Sequence, residues 1–309
     1  MRNKTHSAEG GKKYKHYRKG DMIAGYCFIA PPIIGFLLFS MIPLCFSLVM
    51  TFNQYDFFTG EMAFTGLYYY GRAFTDGIFG KALANMLIAL AGLLVQIVVT
   101  LAVAWLLCFE LKGQLFFRVL FFIPSLCSSV AVTIVWKWVY NTDFGILNEL
   151  LSLFGIGKVA WLTNPSVVML SMVIQGIWMG IGGGLVMYIA ALKNVPRQFY
   201  EAAEIDGAGG WRKFFHITVP SISPTTFYLL ITSLIGTLQD FTRYRLMTDG
   251  GPNNASMTPV LYIYQIAFSS AFDYEYSYAT TLAWILGLII VVLVGVNFKT
   301  SKKWVHYND

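Results

Sequence analysis

Long, nearly uncharged apolar runs alternate along the chain with short polar segments. The runs cover residues 24–51, 83–109, 117–140, 166–192, 224–246 and 278–298. Each approaches or exceeds the roughly 20 residues that cross a hydrocarbon core at about 1.5 Å per residue. Inside lipid every backbone polar group must be satisfied within the segment, which for single runs of this length means helix. The pattern therefore predicts an all-α polytopic membrane protein of six transmembrane helices, preceded by a basic tail at 1–20, with 21–309 forming one transmembrane domain. Pro31, Pro32 and Pro43 predict bends or ends in the first run, because proline lacks the helical donor. In the fourth run the helix is expected only after Pro165. There Gly180, Gly182, Gly183 and Gly184 read as an interruption serving close helix packing.

Between the fourth and fifth runs, at 194–223, the period changes. Phe199, Ala202 and Ala203 share helical spacing, while Glu201, Glu204 and Asp206 point elsewhere. Gly207, Gly209 and Gly210 supply the backbone freedom for a turn. Trp211, Phe214, Phe215 and Val219 then fall at i, i+3, i+4 and i+8, one apolar stripe on a short helix that Pro220 and Pro224 stop. The segment predicts two short amphipathic helices outside the bilayer. Their aromatic face lacks a partner within its own segment, and composition alone favours its lying on lipid headgroups.

Composition agrees with a membrane protein: 56% of residues are apolar and 12% charged, against about 25% charged in a soluble domain. The first run is too long, and lacks the small-residue cleavage site, for a signal peptide. Cys27, Cys45, Cys108 and Cys127 sit in apolar runs and read as small buried hydrophobes. The four histidines are scattered, so no metal site is expected. Lysine and arginine set an orientation. With both termini inside, seven lie in the tail, two between the second and third runs, four in the 193–223 loop and three at the C-terminus, 16 inside against 6 outside. The positive-inside rule then puts the loop and both termini in the cytoplasm.

Some chemistry is missing. Gly77 to Lys81 and Gly155 to Lys158 lack the spacing of a phosphate-binding loop, so no cofactor is expected on this chain. No carboxylate sits deep in a run, which disfavours an ion-coupled secondary carrier. No convergent nucleophile, base or metal set suggests an enzyme. Nothing points to nucleic acid.

Glu201-Ala202-Ala203, Gly207 after three residues, Ile217 after nine more, and Val219-Pro220 resemble the EAA loop of binding-protein-dependent ABC importers. The one departure is Val219, where the family usually has leucine. The likeness continues through Pro31 to Tyr55 with the Phe52-Asn53-Gln54-Tyr55-Asp56 exit. It includes Phe116-Phe117-Arg118 leading to Phe121-Phe122-Ile123-Pro124, and Asn141 to Asn148. Gly250-Gly251-Pro252, Leu261 to Tyr264, and Ala267-Phe268 extend it. The chain is similar to the carbohydrate branch of importer permeases, the maltose and glycerol-phosphate subunits among them.

This resemblance implies a permease subunit, not an enzyme, in a bacterial-type cytoplasmic membrane. It would form half of the path for a sugar or oligosaccharide, with a glycerol phosphate or other small anion as the alternative solute. Implied partners are a second permease, completing a heterodimer, two ABC ATPases carrying ATP and Mg, and an external solute-binding protein. The residues implied to couple to the ATPase are Glu201, Ala202, Ala203, Gly207, Trp211, Phe214, Phe215, Ile217 and Pro220. Polar groups expected along the solute path are Ser128, Thr133, Gln175, Thr237, Gln239 and Asp240. Arg243 and Arg245 are expected to snorkel or pair with Asp240, an acidic solute being the other reading.

Overall fold

The computed structural model describes residues 19–56, 59–109, 112–269 and 275–306, so the predicted basic tail lies almost entirely outside the described residues. The chain divides into two units, 1–49 and 50–309. The first is a single rod: α1 (Lys19–Phe36), a π-helical turn at Leu37–Met41, and the start of α2 (Ile42–Met50). Pro31 and Pro32 are carried inside α1. The π turn has a cause in the sequence. Pro43 has no N–H, and its ring crowds the carbonyl four residues back. The backbone widens ahead of it, and the Ile42 N–H bonds the Leu37 carbonyl, five residues back. Apolar side chains cover this rod on all sides, as in a helix made for a membrane.

The second unit opens with a small departure from an all-helical chain. Strands β1 (Asn53–Tyr55) and β2 (Met62–Phe64) pair antiparallel, with Gln54 opposite Ala63. Helix α3 (Tyr68–Thr75) leads to α4 (Gly77–Leu106), then α5 (Gln114–Leu126) and α6 (Ser129–Val139), which meet at 107° around Cys127 and Ser128. Next come α7 (Ile146–Ser152), α8 (Val168–Lys193), α9 (Arg197–Ile205), α10 (Gly210–Lys213), a second π turn at Phe214–Thr218, and α11 (Val219–Ser221). The last elements are α12 (Ser223–Leu238), α13 (Thr242–Met247), α14 (Pro259–Phe268) and α15 (Tyr276–Ser301). Among the described residues, four helical stretches are long and apolar enough to cross a membrane: Ile23–Met50, α4, α8 and α15. Two bent pairs, α5 with α6 and Gly210–Ser221 with α12, reach the same test only when each pair is counted together.

Helix α8 packs along α4, and glycines allow the approach. A Cβ on Gly92 would come 2.6 Å from Val173, and one on Gly182 would come 2.8 Å from the Phe121 carbonyl of α5. One on Gly180 would overlap the Gln96 side chain, whereas Gly183 faces open space. The glycine cluster thus packs the fourth helix against its neighbours without interrupting it: α8 is continuous from Val168 to Lys193. Cys27 and Cys45 are exposed on helix surfaces and Cys127 is exposed at the α5–α6 bend rather than buried, and Cys108 is half-buried. An apolar side chain in a membrane helix can satisfy itself in lipid, so hydrophobicity there does not imply a place in the protein interior.

At the N-terminal end of α4 a polar knot joins four helices. Asp76 Oδ1 accepts the Ile78 and Phe79 amides at 2.8 and 3.1 Å, capping α4. Its Oδ2 accepts the Tyr262 hydroxyl of α14 at 2.7 Å and the Tyr278 hydroxyl of α15 at 2.6 Å. Arg72 of α3 lies over the Tyr278 ring and pairs with Glu275 at 2.7 Å. Burial works to raise the Asp76 pKa, but the four donors outweigh it and hold the carboxyl below its ordinary value.

Candidate functional site

Two regions carry the polar chemistry. The first is the 194–223 segment. Its opening helix, α9, ends in a left-handed turn at Gly207, with φ +72°. There the Ala208 amide bonds the Ala203 carbonyl at 2.8 Å, and the Gly207 amide bonds that of Glu204 at 3.0 Å. This is the paired bonding of a Schellman cap, whose left-handed position favours glycine. Lys213 of α10 reaches back to Glu204 at 2.7 Å, and the Tyr200 hydroxyl meets Thr218 Oγ1 at 2.9 Å. The two short helices are therefore tied to each other. The π turn at Phe214–Thr218 repeats the geometry seen before Pro43: the Val219 N–H bonds the Phe214 carbonyl, one residue ahead of Pro220.

The aromatic stripe divides in two. Phe214 is half-buried, its ring centroid 4.8 Å from that of Trp105 near the end of α4. Trp211 and Phe215 stack on each other at 6.1 Å and remain 68% and 58% exposed. Glu201, Ala202 and Gly207 are exposed with them, Ala203 and Ile217 are half-buried, and Pro220 lies in the short α11. Among the large apolar side chains of the segment Ile205 is the most exposed, at 88%. Beneath the segment lies a cavity of about 350 Å³, bounded by Trp105, Tyr200, Glu204, Lys213 and Phe214 among others.

The second region is a cavity of about 420 Å³ among α4, α6, α8, α12 and α13. Thr133, Thr237, Gln239 and Asp240 line it, together with Gln96, Ser129, Gly176 and Arg243. Helix α12 stops at Leu238, and the polar residues Gln239 and Asp240 occupy the break before α13. The Arg243 guanidinium pairs with Asp240 at 2.7 Å and donates to the Met172 carbonyl at 3.1 Å. A Cβ at Gly176 would overlap that guanidinium, so the glycine makes its room. Arg245 pairs instead with Asp249. The other two expected path residues stand apart. Gln175 is fully buried and donates to Thr133 Oγ1 at 3.5 Å, and Ser128 is exposed at the α5–α6 break. No group of His, Cys, Asp and Glu that could hold a metal occurs among the described residues.

Sequence reasoning missed Gln96, Gly176 and Trp105. Gln96 carried a signal, as a lone amide in the middle of an apolar run. Trp105 carried none, because its partner Phe214 lies more than a hundred residues away.

Residues 109–303 match the family described as binding-protein-dependent transport system inner membrane component. The chain belongs to this family. It is a multi-pass membrane permease subunit of a binding-protein-dependent transport system. Similarity extends over nearly the whole length of individual permeases. The probable ABC transporter permease protein YesP of Bacillus subtilis (strain 168) is 35% identical, over 98% of this chain and 97% of that protein. The lactose transport system permease protein LacF of Rhizobium radiobacter is 33% identical, over 91% of this chain and 95% of that one. Among solved structures, a chain of a bacterial alginate ABC transporter superposes with a TM-score of 0.76 at 26% identity. That transporter was crystallised in complex with an alginate pentasaccharide-bound periplasmic protein, and the match covers 92% of this permease and 96% of that chain.

Proposed function

We propose that this permease forms one half of the path of an ATP-driven importer for a sugar or oligosaccharide, and that its 194–223 segment couples the path to ATPase subunits. The observation that carries the reading is the half-open cavity among helices of the membrane domain, with polar side chains on its wall, in a chain whose relatives include a lactose transport system permease. Hydroxyl and amide groups such as Thr237, Gln239 and Gln96 suit a solute rich in hydroxyls. In this account α5 with α6 makes one crossing and α12 with α13 another, which with Ile23–Met50, α4, α8 and α15 gives six spans, both termini and the 194–223 segment being cytoplasmic. A second permease completes the path, two ATPase subunits hold ATP and Mg, and an external binding protein delivers solute. Residues 21–309 act as one transmembrane domain. Glu201, Ala202, Ala203, Gly207, Trp211, Phe215 and Ile217 meet the ATPase, while Phe214 and Pro220 hold the segment's shape.

The small-anion alternative has less support, because Asp240 and Asp249 neutralise Arg243 and Arg245. The test is uptake of radiolabelled neutral oligosaccharides into proteoliposomes holding both permeases and the ATPases, with binding protein outside. Uptake should require ATP and the binding protein together, and the permease alone should hydrolyse no ATP. Uptake driven by an ion gradient without ATP would refute the reading.

A further inference from the structure

The membrane cavity holds a charge arrangement that the relatives' names do not explain. Of the residues that line it, Asp240 and Arg243 are the charged ones, and they are joined at 2.7 Å. Both are largely shielded, with side-chain exposures of 24% and 13%. The guanidinium is built in rather than adventitious. Gly176 leaves the space that it fills, the Met172 carbonyl accepts from Nη1, and its carbon lies 5.0 Å from the centre of the Tyr244 ring. A cation in this setting would draw anionic solutes, since the low dielectric of a membrane domain magnifies its field. Asp240 cancels that field at its source.

We propose that Asp240 is a specificity-determining residue: by neutralising Arg243 it makes the cavity wall electrically neutral, so that the path takes uncharged sugars and does not favour uronates or sugar phosphates. The inference rests on the reading of this cavity as solute path. It separates the permease from the alginate transporter that it resembles in fold, whose cargo is acidic. Arg243 keeps a structural role at the wall, linking α13 to the backbone of α8.

The test reads the charge of the cavity without knowing the solute. In the assembled complex, with Cys27, Cys45, Cys108 and Cys127 replaced by serine, one cysteine is introduced as Gly236→Cys. Gly236 lines the cavity, and a Cβ there meets nothing within 4 Å. Gln239→Cys serves as a second reporter. Reaction rates with an anionic and a cationic methanethiosulfonate reagent are compared with those of a small neutral thiol. For the native pair, the anion-to-cation ratio should stay within about threefold of the free-thiol value. Asp240→Asn should raise it about tenfold, and Arg243→Gln should lower it by a similar factor. The double variant Asp240→Asn with Arg243→Gln should return it to the native value, and it remains informative if an uncompensated charge prevents either single variant from folding. A native ratio that already favours the anionic reagent tenfold, single variants that fold but leave the ratio unchanged, or a double variant far from the native value would overturn the proposal. So would cysteines that react with neither reagent. If the ratios behave as expected but a bulky adduct at position 236 leaves uptake intact, the charge claim stands and the solute-path reading falls.

Discussion

Phe215 and Phe214 are adjacent, yet one is exposed and the other half-buried, so under the proposed coupling role truncating each to alanine separates docking from folding. Phe215 is 58% exposed, and a phenylalanine buries roughly 150–250 Å² when fully covered, so docking can cover on the order of 110 Å². At about 25 cal/mol per Å² that is nearly 3 kcal/mol as an upper value, and incomplete coverage gives about 1.5–3 kcal/mol. Phe215→Ala should therefore weaken ATPase binding about tenfold to a hundredfold. Its thermal stability should change little, because the side chain packs mainly against Trp211 and Phe214 at the surface. Phe214→Ala removes the ring seated 4.8 Å from Trp105. It should cost roughly 2–3 kcal/mol of stability, less than a fully buried phenylalanine, and act on binding only through the loosened segment. The assay is ATPase-subunit affinity for the permease in lipid nanodiscs, paired with thermal unfolding of the same samples. Phe215→Ala binding within about twofold of wild type would refute the division. So would a Phe214→Ala protein of unchanged stability that binds more weakly than Phe215→Ala.

Three further outcomes are expected. Gly182→Ala should destabilise by about 1–3 kcal/mol, because its Cβ meets the Phe121 carbonyl at 2.8 Å, while Gly183→Ala should be neutral or slightly stabilising; thermal unfolding of both variants decides. Asp76, held below the ordinary carboxylate pKa, contributes stability that is complete above that value of about 3.9 and is lost as pH falls through its lowered folded value. The melting-temperature gap between wild type and Asp76→Asn should thus be constant from about pH 8 to 5 and close below about pH 4; a gap unchanged at pH 3 would contradict this. A reporter active only outside the cytoplasm should work when fused at Asn148 or Asn254 and fail at Gly209, the reverse pattern overturning the proposed orientation.

Much of this architecture was legible because lipid makes helix obligatory and apolar length sufficient. The helices α4, α8 and α15 follow the runs, and the turn after α9 follows Gly207. The breaks were harder. The 107° bend at Cys127 and Ser128 lies in the uncharged stretch between Arg118 and Lys137, so hydropathy reads it as one straight span. Pro43 and Pro220 announced disturbance but not its form, since a proline can end a helix or widen the turn ahead of it. The hairpin at Asn53 to Phe64 is too short for alternation to register. At the sites, local spacing gave the 194–223 helices correctly. It could not separate Phe214 from Phe215, because that distinction depends on Trp105 from another helix. Likewise, the expected pairing of Arg243 with Asp240 follows from their i,i+3 spacing, but Gly176 and Met172, which complete the guanidinium's surroundings, come from α8.

Contact between the 194–223 segment of this permease and the ATPase is what the proposed coupling role requires. A photo-crosslinking residue in place of Ile205, the most exposed large apolar side chain on that segment at 88%, tests it in intact cells expressing the whole transporter. An ultraviolet-dependent adduct between the permease and an ATPase subunit is expected, reduced by Gly207→Val, which strains the turn that presents position 205. Adducts to lipid alone, with the complex assembled and transporting normally, would contradict it.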